Sequence, residues 1–334
     1  MSDRRTISSR PASRPTLSPT LNDVDSAVER IRGLVHRTPL LSSRTLSERS
    51  GLDVWLKAEN LQKTGSFKPR GVFNKVLQLS AEARAAGIIT ASAGNNGQAV
   101  AYVAAHQGIP GYVVMPEGAN RSKVAAVREY GSEAILHGAV WDDAYAHSLA
   151  IAEERELTYV HPFKDRAIMA GQGTVALEIL ERLPDVEALL VPIGGGGLIG
   201  GIATAMKSRN PSVRIIGVEP VGAANMKASR EAGRPVELAA VATRADGLAT
   251  KKTDPEVFEI LEGCVDELIT VDDEAMLDAI RFLLERTKLM VEMSGAATTA
   301  ALLSGVTKLS PGTRTVAVVS GGNYDVAGRM ELSP

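Results

Sequence analysis

Short, almost wholly apolar runs alternate with longer stretches of helical period along most of this chain. Segments 53–58, 111–115, 133–136, 157–160, 189–193, 214–218, 267–271 and 315–319 are rich in Val, Ile, Leu and Tyr and bounded by polar or turn-forming residues, as strands are. Stretches 97–107, 122–130, 142–156, 173–182 and 272–286 separate most of them and repeat their apolar positions with helical spacing. A first helix is expected to start at Asn22 or Asp23 as its cap and to turn Val24, Ala27, Val28, Ile31, Leu34 and Val35 to one face. Continuous apolar strands are buried on both sides, so the pattern predicts an α/β protein with mostly parallel sheets and helices on both faces.

The alternating units from 87 to 157 form a compact run, which predicts a small domain inserted into a larger one made of 21–86 and 158–330. A ligand would sit between the two bodies. Residues 1–20 are rich in Ser, Pro and Arg and have almost nothing to bury, so they are expected to be a disordered tail. That tail lacks the apolar core of a secretory signal, and Pro11, Pro15 and Pro19 oppose a transit-peptide helix, which makes the cytoplasm the expected location.

Composition narrows the partners. With 334 residues and 44% hydrophobic content the chain can bury a large core. Its net charge is −2 with the cations spread along the sequence, which argues against nucleic acid, and no apolar run approaches membrane-spanning length. Small molecules are the expected partners. Cys264, the single cysteine, excludes an internal disulfide and a thiolate metal cluster and reads as buried filler. The five histidines show no close ligand pairing, and His161, before Pro162, reads as structural.

Four segments carry candidate chemistry. Lys68 lies among turn-formers between an expected strand and an expected helix; a lysine amine partly desolvated in a cleft turns neutral more readily, and neutral amine attacks carbonyls and removes protons. Gly194, Gly195, Gly196 and Gly197 follow an apolar strand and open a helix, a geometry that points backbone N–H groups at a phosphate. Ser92, Gly94, Asn95 and Asn96 sit at another helix N-terminus, where a substrate carboxylate is the natural guest. Ser320 ends a buried strand and is placed to face a ring nitrogen. A competing account uses Gly195, Gly197 and Gly200 as Gly-x-Gly-x-x-Gly, with Glu219 as the ribose-binding acid of an NAD-dependent oxidoreductase. It gives Lys68 and the Ser92–Asn96 loop no task, whereas a phosphorylated aldehyde cofactor uses all four segments. A third reading keeps the fold as a small-molecule binding protein without catalysis.

In this order, Ser66-Phe-Lys68-Pro-Arg-Gly71, Ser92-Ala-Gly-Asn95, Gly194–Gly197 and Ser320-Gly-Gly-Asn323 resemble the pyridoxal-phosphate-dependent serine/threonine dehydratase family, with serine racemases among its relatives, over residues 22–328. The resemblance implies the two-domain tryptophan-synthase-β fold (fold type II) and Lys68 as the lysine that carries pyridoxal 5′-phosphate. It further implies Phe67 against the cofactor ring, Asn95 on its 3-hydroxyl, Gly194 to Gly197 on its phosphate, Ser320 at its pyridine nitrogen, and Ser92, Ala93, Gly94 and Asn96 around the substrate. The activity implied is dehydration and deamination of a β-hydroxy amino acid, L-threonine or L-serine, to 2-oxobutanoate or pyruvate and ammonia. A neutral serine at the ring nitrogen leaves a weaker electron sink, which suits elimination.

Racemization and other β-hydroxy substrates, such as hydroxyaspartate or phenylserine, are the alternatives. Ala93 replaces the second serine of the racemases, which favours a dehydratase, and Asn96 replaces a usual histidine in the carboxylate loop. The positions matching the divalent-cation site of some relatives are Glu219, the Ala223 carbonyl and Asn225, where an amide replaces an acid and weakens a hard-cation site. A homodimer or homotetramer is also implied.

Overall fold

The computed structural model describes residues 17–325; residues 1–16, most of the expected tail, and 326–334 lie outside the described residues. The chain runs through α1 (Leu21–Arg30), β1 (Leu40–Ser42), α2 (Arg44–Ser50), β2 (Asp53–Ala58), α3 (Lys68–Val76) and α4 (Ala81–Ala86). Regular alternation follows: β3 (Ile88–Ala91), α5 (Asn95–Gln107), β4 (Gly111–Met115), α6 (Arg121–Glu129), β5 (Glu133–Leu136), α7 (Trp141–Glu154), β6 (Thr158–Tyr159) and α8 (Arg166–Arg182). The rest is β7 (Ala188–Pro192), α9 (Gly197–Arg209), β8 (Arg214–Pro220), α10 (Asn225–Ala232), α11 (Pro255–Cys264), β9 (Glu267–Val271), α12 (Asp273–Phe282), α13 (Met293–Leu303) and β10 (Arg314–Val319).

Two sheets result. A six-stranded sheet has the order β1-β2-β10-β7-β8-β9 and a four-stranded sheet the order β5-β4-β3-β6. Every pair is parallel except β1 with β2. In the large sheet, Leu189, Val191, Val316 and Val318 join one core with side chains of α8, α9 and α11. Their neighbours Leu190, Ala317 and Val319 join the opposite core with α12 and α13. Both sides of each strand are therefore covered, which is why these segments read as unbroken apolar runs. In the small sheet, Ile89 and Val114 pack against Ala144 and Ile151 of α7, while Val113 and Met115 meet Val124 and Val127 of α6.

This strand order puts the C-terminal ends of β2, β10 and β7 side by side, so the loops that leave them converge at one edge. Those loops hold Lys68, Ser320 and the four glycines.

Some boundaries differ from the sequence pattern. Thr20, rather than Asn22 or Asp23, caps α1: its Oγ1 accepts the Asp23 N–H at 3.2 Å, and Asp23 Oδ2 accepts the Thr20 N–H at 2.6 Å. Leu17 packs against the first core and its N–H donates to Glu256 at 3.2 Å, so residues 17–20 belong to the folded body and not to the tail. Helix α3 begins at Lys68 itself, with Pro69 in its first turn. Helix α8 begins at Arg166 because Asp165 accepts the N–H groups of Ala167 and Ile168 at 2.7 and 3.1 Å. The antiparallel β1 was not visible in the pattern.

Beneath the Lys68 segment lies a closed ionic quartet. Arg70 and Glu59 are 0% exposed and Lys57 is 1% exposed. Arg70 forks onto Glu59, with Nε and a terminal nitrogen each 2.8 Å from an oxygen, and onto Glu178 at 2.7 and 2.9 Å. Lys57 Nζ bonds Glu178 at 2.6 Å and the Thr38 carbonyl at 2.7 Å. Burial opposes ionization of Arg70 and Glu59, but the facing charges and hydrogen bonds outweigh it, raising the arginine's pKa and lowering the glutamate's. Truncating the centre leaves two buried carboxylates for one lysine. Arg70→Ala is expected to destabilize the protein by about 3–5 kcal/mol, read as a lower urea midpoint at constant slope. A midpoint equal to that of the wild type would show that the quartet does not anchor this segment.

Candidate active site

After β2 the chain makes two tight turns, at 59–61 and 63–65, before α3. Thr64 and Gly65 both take positive φ, 59° and 72°. At Gly65 a side chain is excluded twice, because a Cβ would also lie 2.5 Å from Asn323 Oδ1. The segment is then stitched to the chain leaving β10: Ser66 pairs with Gly321, the Phe67 N–H donates to the Ser320 carbonyl at 3.2 Å, and the Gly322 N–H donates to the Gly65 carbonyl at 2.8 Å. Lys68 is thereby held as the first residue of α3. Its half-buried side chain donates from Nζ to the Pro162 carbonyl at 2.8 Å and lies 5.1 Å from the centre of the Phe67 ring. Burial lowers its pKa to about 8, with Glu292 opposing the shift. A nucleophilic amine is the chemical result.

The glycine turn joins β7 to α9, and Gly196, at φ 89°, is the helix N-cap. A Cβ at Gly194 would lie 2.8 Å from the Gly247 carbonyl, at Gly196 2.6 Å from Val257, and at Gly197 2.8 Å from Phe163; at Gly195 it would overlap the Phe163 ring. No side chain caps α9, so the N–H groups of its first turn remain donors without an intrahelical acceptor. Phe163, which packs on this turn, follows the Pro162 whose carbonyl holds Lys68. Both are set by His161, whose Nδ1 accepts the N–H groups of Phe163 at 3.2 Å and Lys164 at 2.8 Å. Burial and the nearby Lys164 and Lys68 charges push His161 down to about 4, so its ring is neutral and free to accept both bonds. Lysine and glycine turn are thus brought together through residues 161–163.

The turn from β3 into α5 supplies Ser92, Ala93, Gly94, Asn95 and Asn96. Ser92 Oγ accepts the Gly94 N–H at 3.1 Å, and Gly94 is the N-cap with no side-chain bond across the helix end. Asn95 reaches to the large sheet: its Nδ2 donates to Glu292 Oε1 at 2.6 Å, and its Oδ1 accepts from Asn323 at 2.8 Å. Asn96 is buried and its Nδ2 donates to Thr90 Oγ1 at 3.0 Å, while its Oδ1 has no partner and its backbone N–H lies at the helix end. Ser320 is 4% exposed, and its hydroxyl lies 3.4 Å from the Ser294 carbonyl.

Glu292 was not singled out from the sequence. Its one signal is an acid inside the apolar run Leu289-Met-Val-Glu-Met293, just before α13. It is buried, and burial together with Asp246 raises its pKa to about 7 against the opposing effects of Asn95, Lys123 and Lys68.

Glu219, expected as a cation ligand or a ribose acid, is occupied. Its two oxygens accept the N–H groups of Met226 and Lys227 at 2.8 Å each, so it caps α10, and burial still raises its pKa to about 7. Fully buried and bonded at both oxygens, it presents nothing to a ribose, which removes the dinucleotide reading. Asn225 donates to the Thr250 carbonyl at 2.8 Å while its Oδ1 has no partner, and Ala223 is buried beside them in the turn 221–223. Among the described residues, no group of three or more His, Cys, Asp or Glu side chains is arranged to hold a metal ion.

These residues fit a phosphorylated aldehyde: a tight glycine turn rich in free N–H groups, and a nearby lysine amine whose affinity for protons is reduced. The comparisons with known proteins agree. The model of the pyridoxal-phosphate-dependent enzyme family matches residues 31–321. The L-threonine ammonia-lyase of Thermotoga maritima is 47% identical over 308 residues, covering 92% of this chain and 76% of that protein. The catabolic L-threonine dehydratase of Escherichia coli K12 is 40% identical, covering 92% of this chain and 94% of that protein. Among solved structures, maize serine racemase superposes with a TM-score of 0.90 at 38% identity, over 92% of this chain and 95% of its own. The processed form of threonine deaminase isoform 2 from Solanum lycopersicum does so with a TM-score of 0.87 at 35% identity, over 91% and 90%. The matched stretch takes in both sheets and every loop that converges on Lys68, and the chain belongs to the pyridoxal-phosphate-dependent enzymes.

Proposed function

We propose that this enzyme is an ammonia-lyase that dehydrates and deaminates L-threonine and L-serine, giving 2-oxobutanoate or pyruvate and ammonia. The observation that carries the reading is Lys68: a half-buried amine lowered to about 8, held at the Pro162 carbonyl next to the Phe163 that covers the glycine turn. The relatives named above from Thermotoga maritima and Escherichia coli act, by their names, on L-threonine.

In this reading the free N–H groups of Gly194 to Gly197 would hold the cofactor phosphate, with Phe67 for its ring, Asn95 for its 3-oxygen and Ser320 for its ring nitrogen. When bound, the cofactor supplies an electron sink conjugated with the substrate nitrogen, which acidifies the Cα–H bond. Lys68 Nζ would take the Cα proton; at pH 7 roughly a tenth of an amine with this pKa is neutral. The Ser92 hydroxyl and the backbone N–H groups of Asn95 and Asn96 would bind the substrate carboxylate at the start of α5, with Ser92 Oγ steadied by the Gly94 N–H. Ser320, as a neutral hydroxyl, leaves the ring nitrogen without an anionic partner.

A racemase must return a proton from the face opposite Lys68, and Ala93 has none to give, so elimination is favoured. The substrate enters between residues 87–157 and the body formed by 21–86 and 158–330. The residues that would hold a divalent cation are Glu219, the Ala223 carbonyl and Asn225, whose Oδ1 has no partner; the steps above do not use one. A cytoplasmic homodimer or homotetramer completes the reading, supported by the family resemblance.

Purified enzyme should turn L-threonine into 2-oxobutanoate, and Lys68→Ala should abolish the visible band of bound pyridoxal phosphate and cut turnover at least about 10²–10⁴-fold. Absence of a 2-oxo acid from L-threonine, L-serine and every other β-hydroxy amino acid tried would overturn the assignment. The lowered amine pKa makes a second, separate prediction. The rate at which cofactor-free protein takes up pyridoxal 5′-phosphate should climb about tenfold per pH unit below pH 8 and level off above it, as the neutral fraction of Lys68 does. A climb that continues unbroken to pH 10 would mean an ordinary lysine.

A further inference from the structure

Glu292 occupies the N-cap position of α13, where a shorter acid such as Asp would accept the N–H groups of the helix it starts. Here it makes no such bond. Its Oε1 accepts from Asn95 Nδ2 at 2.6 Å instead, and lies so close to Gly321 that any Cβ there would overlap it. The carboxylate is turned toward Asn95 and Gly321 rather than toward its own helix.

The bonds around it have a single consistent polarity. The Thr64 carbonyl can only accept, so Asn323 must turn its nitrogen toward it, at 2.7 Å. The same nitrogen reaches Asn95 at 2.8 Å, so Asn95 must answer with its oxygen, and its own nitrogen is left for Glu292. An ionized carboxylate, which accepts and cannot donate, locks this order from the other end. The order leaves Asn95 one further N–H to present.

We propose that Glu292 is a positioning residue that, through its own ionization, holds the Asn95 amide with its nitrogen turned toward the bound cofactor. The inference rests on the reading of Asn95 as a neighbour of the cofactor's 3-oxygen. The relay Glu292–Asn95–Asn323–Thr64 joins the start of α5, which follows the small sheet, to the loops beside Lys68 and Ser320 on the large one. Protonated, Glu292 offers Asn95 a hydroxyl that can donate as well as accept, and the amide is then directed from the Asn323 end alone. The charged groups that face it are Lys68 at the start of α3, Lys123 of α6 and Asp246 in the turn 246–248. Lys123 and Asp246 pair with each other, which leaves Lys68 as the unpaired charge acting on Glu292. With burial raising its pKa to about 7, the carboxyl changes state near neutral pH.

The test is a pH titration of the visible band of the holoenzyme together with the affinity of the cofactor-free protein for pyridoxal 5′-phosphate. The wild-type band should show a transition above the ordinary carboxylate range, in the direction that burial moves Glu292. In Glu292→Gln that transition should vanish while affinity falls roughly tenfold to a hundredfold, the worth of one hydrogen bond to a charged group. Asn95→Ala should lose a similar amount, and the double variant should lose no more than Asn95→Ala alone. Asn323→Asp, which turns the donor facing Asn95 into an acceptor, should weaken binding comparably and serves if Glu292→Gln fails to fold. An unchanged transition in Glu292→Gln, losses that add in the double variant, or wild-type behaviour in Asn323→Asp would each overturn the proposal. A wild-type protein with no Lys68-dependent band would instead defeat the functional reading itself.

Discussion

The Arg70–Glu59–Glu178–Lys57 quartet is the constraint on which the site's geometry rests. Arg70 sits two residues from Lys68 on the first turn of α3, and its guanidinium grips one carboxylate from the turn after β2 and another from α8. Two bidentate forks leave the guanidinium little freedom to tilt, and α3 cannot rotate without breaking both. Desolvating four charges is costly, and replacing them all with apolar groups often stabilizes a protein. What the quartet provides is direction: the helix that begins with Lys68 has one orientation, and with it the amine.

Around that fixed lysine, burial tunes the titrating groups in opposite senses. Removal from water disfavours charge, so it lowers Lys68 to about 8 and His161 to about 4 while raising Glu292 to about 7. A neutral His161 is a structural requirement, since its Nδ1 gathers the two N–H groups that set the Phe163 turn. The loop that positions the Lys68 acceptor also closes over the glycine turn, which links the amine to the anion cradle through a few consecutive residues.

Much of the fold was legible in the pattern because parallel strands covered on both faces have to be apolar throughout, and β4, β5 and β9 begin and end where their runs do. The Lys68 loop, the glycine turn, the start of α5 and Ser320 stood out because glycines and small polar residues interrupt that pattern at strand ends. Other features gave no local sign. Thr20 reads like the Ser- and Pro-rich residues before it until its bond to Asp23 and the packing of Leu17 are seen. Asn96 looks like part of the open turn, yet Thr90, six residues earlier, draws it inward. Glu219 looks free for a ribose, yet it is buried and its oxygens accept the N–H groups that start α10.

Glu292 marks the boundary between the two kinds of information. Its contact with Asn95 spans 197 residues of sequence, and the relay continues over 228 residues to Asn323 and 259 to Thr64. Residue type and spacing settle what a segment is able to do, because helix starts, glycine turns and apolar strands act over a few neighbouring residues. Which segments meet, and what a buried carboxyl's pKa becomes when they do, follows from packing and desolvation, which arise only once distant parts of the chain have shut out water.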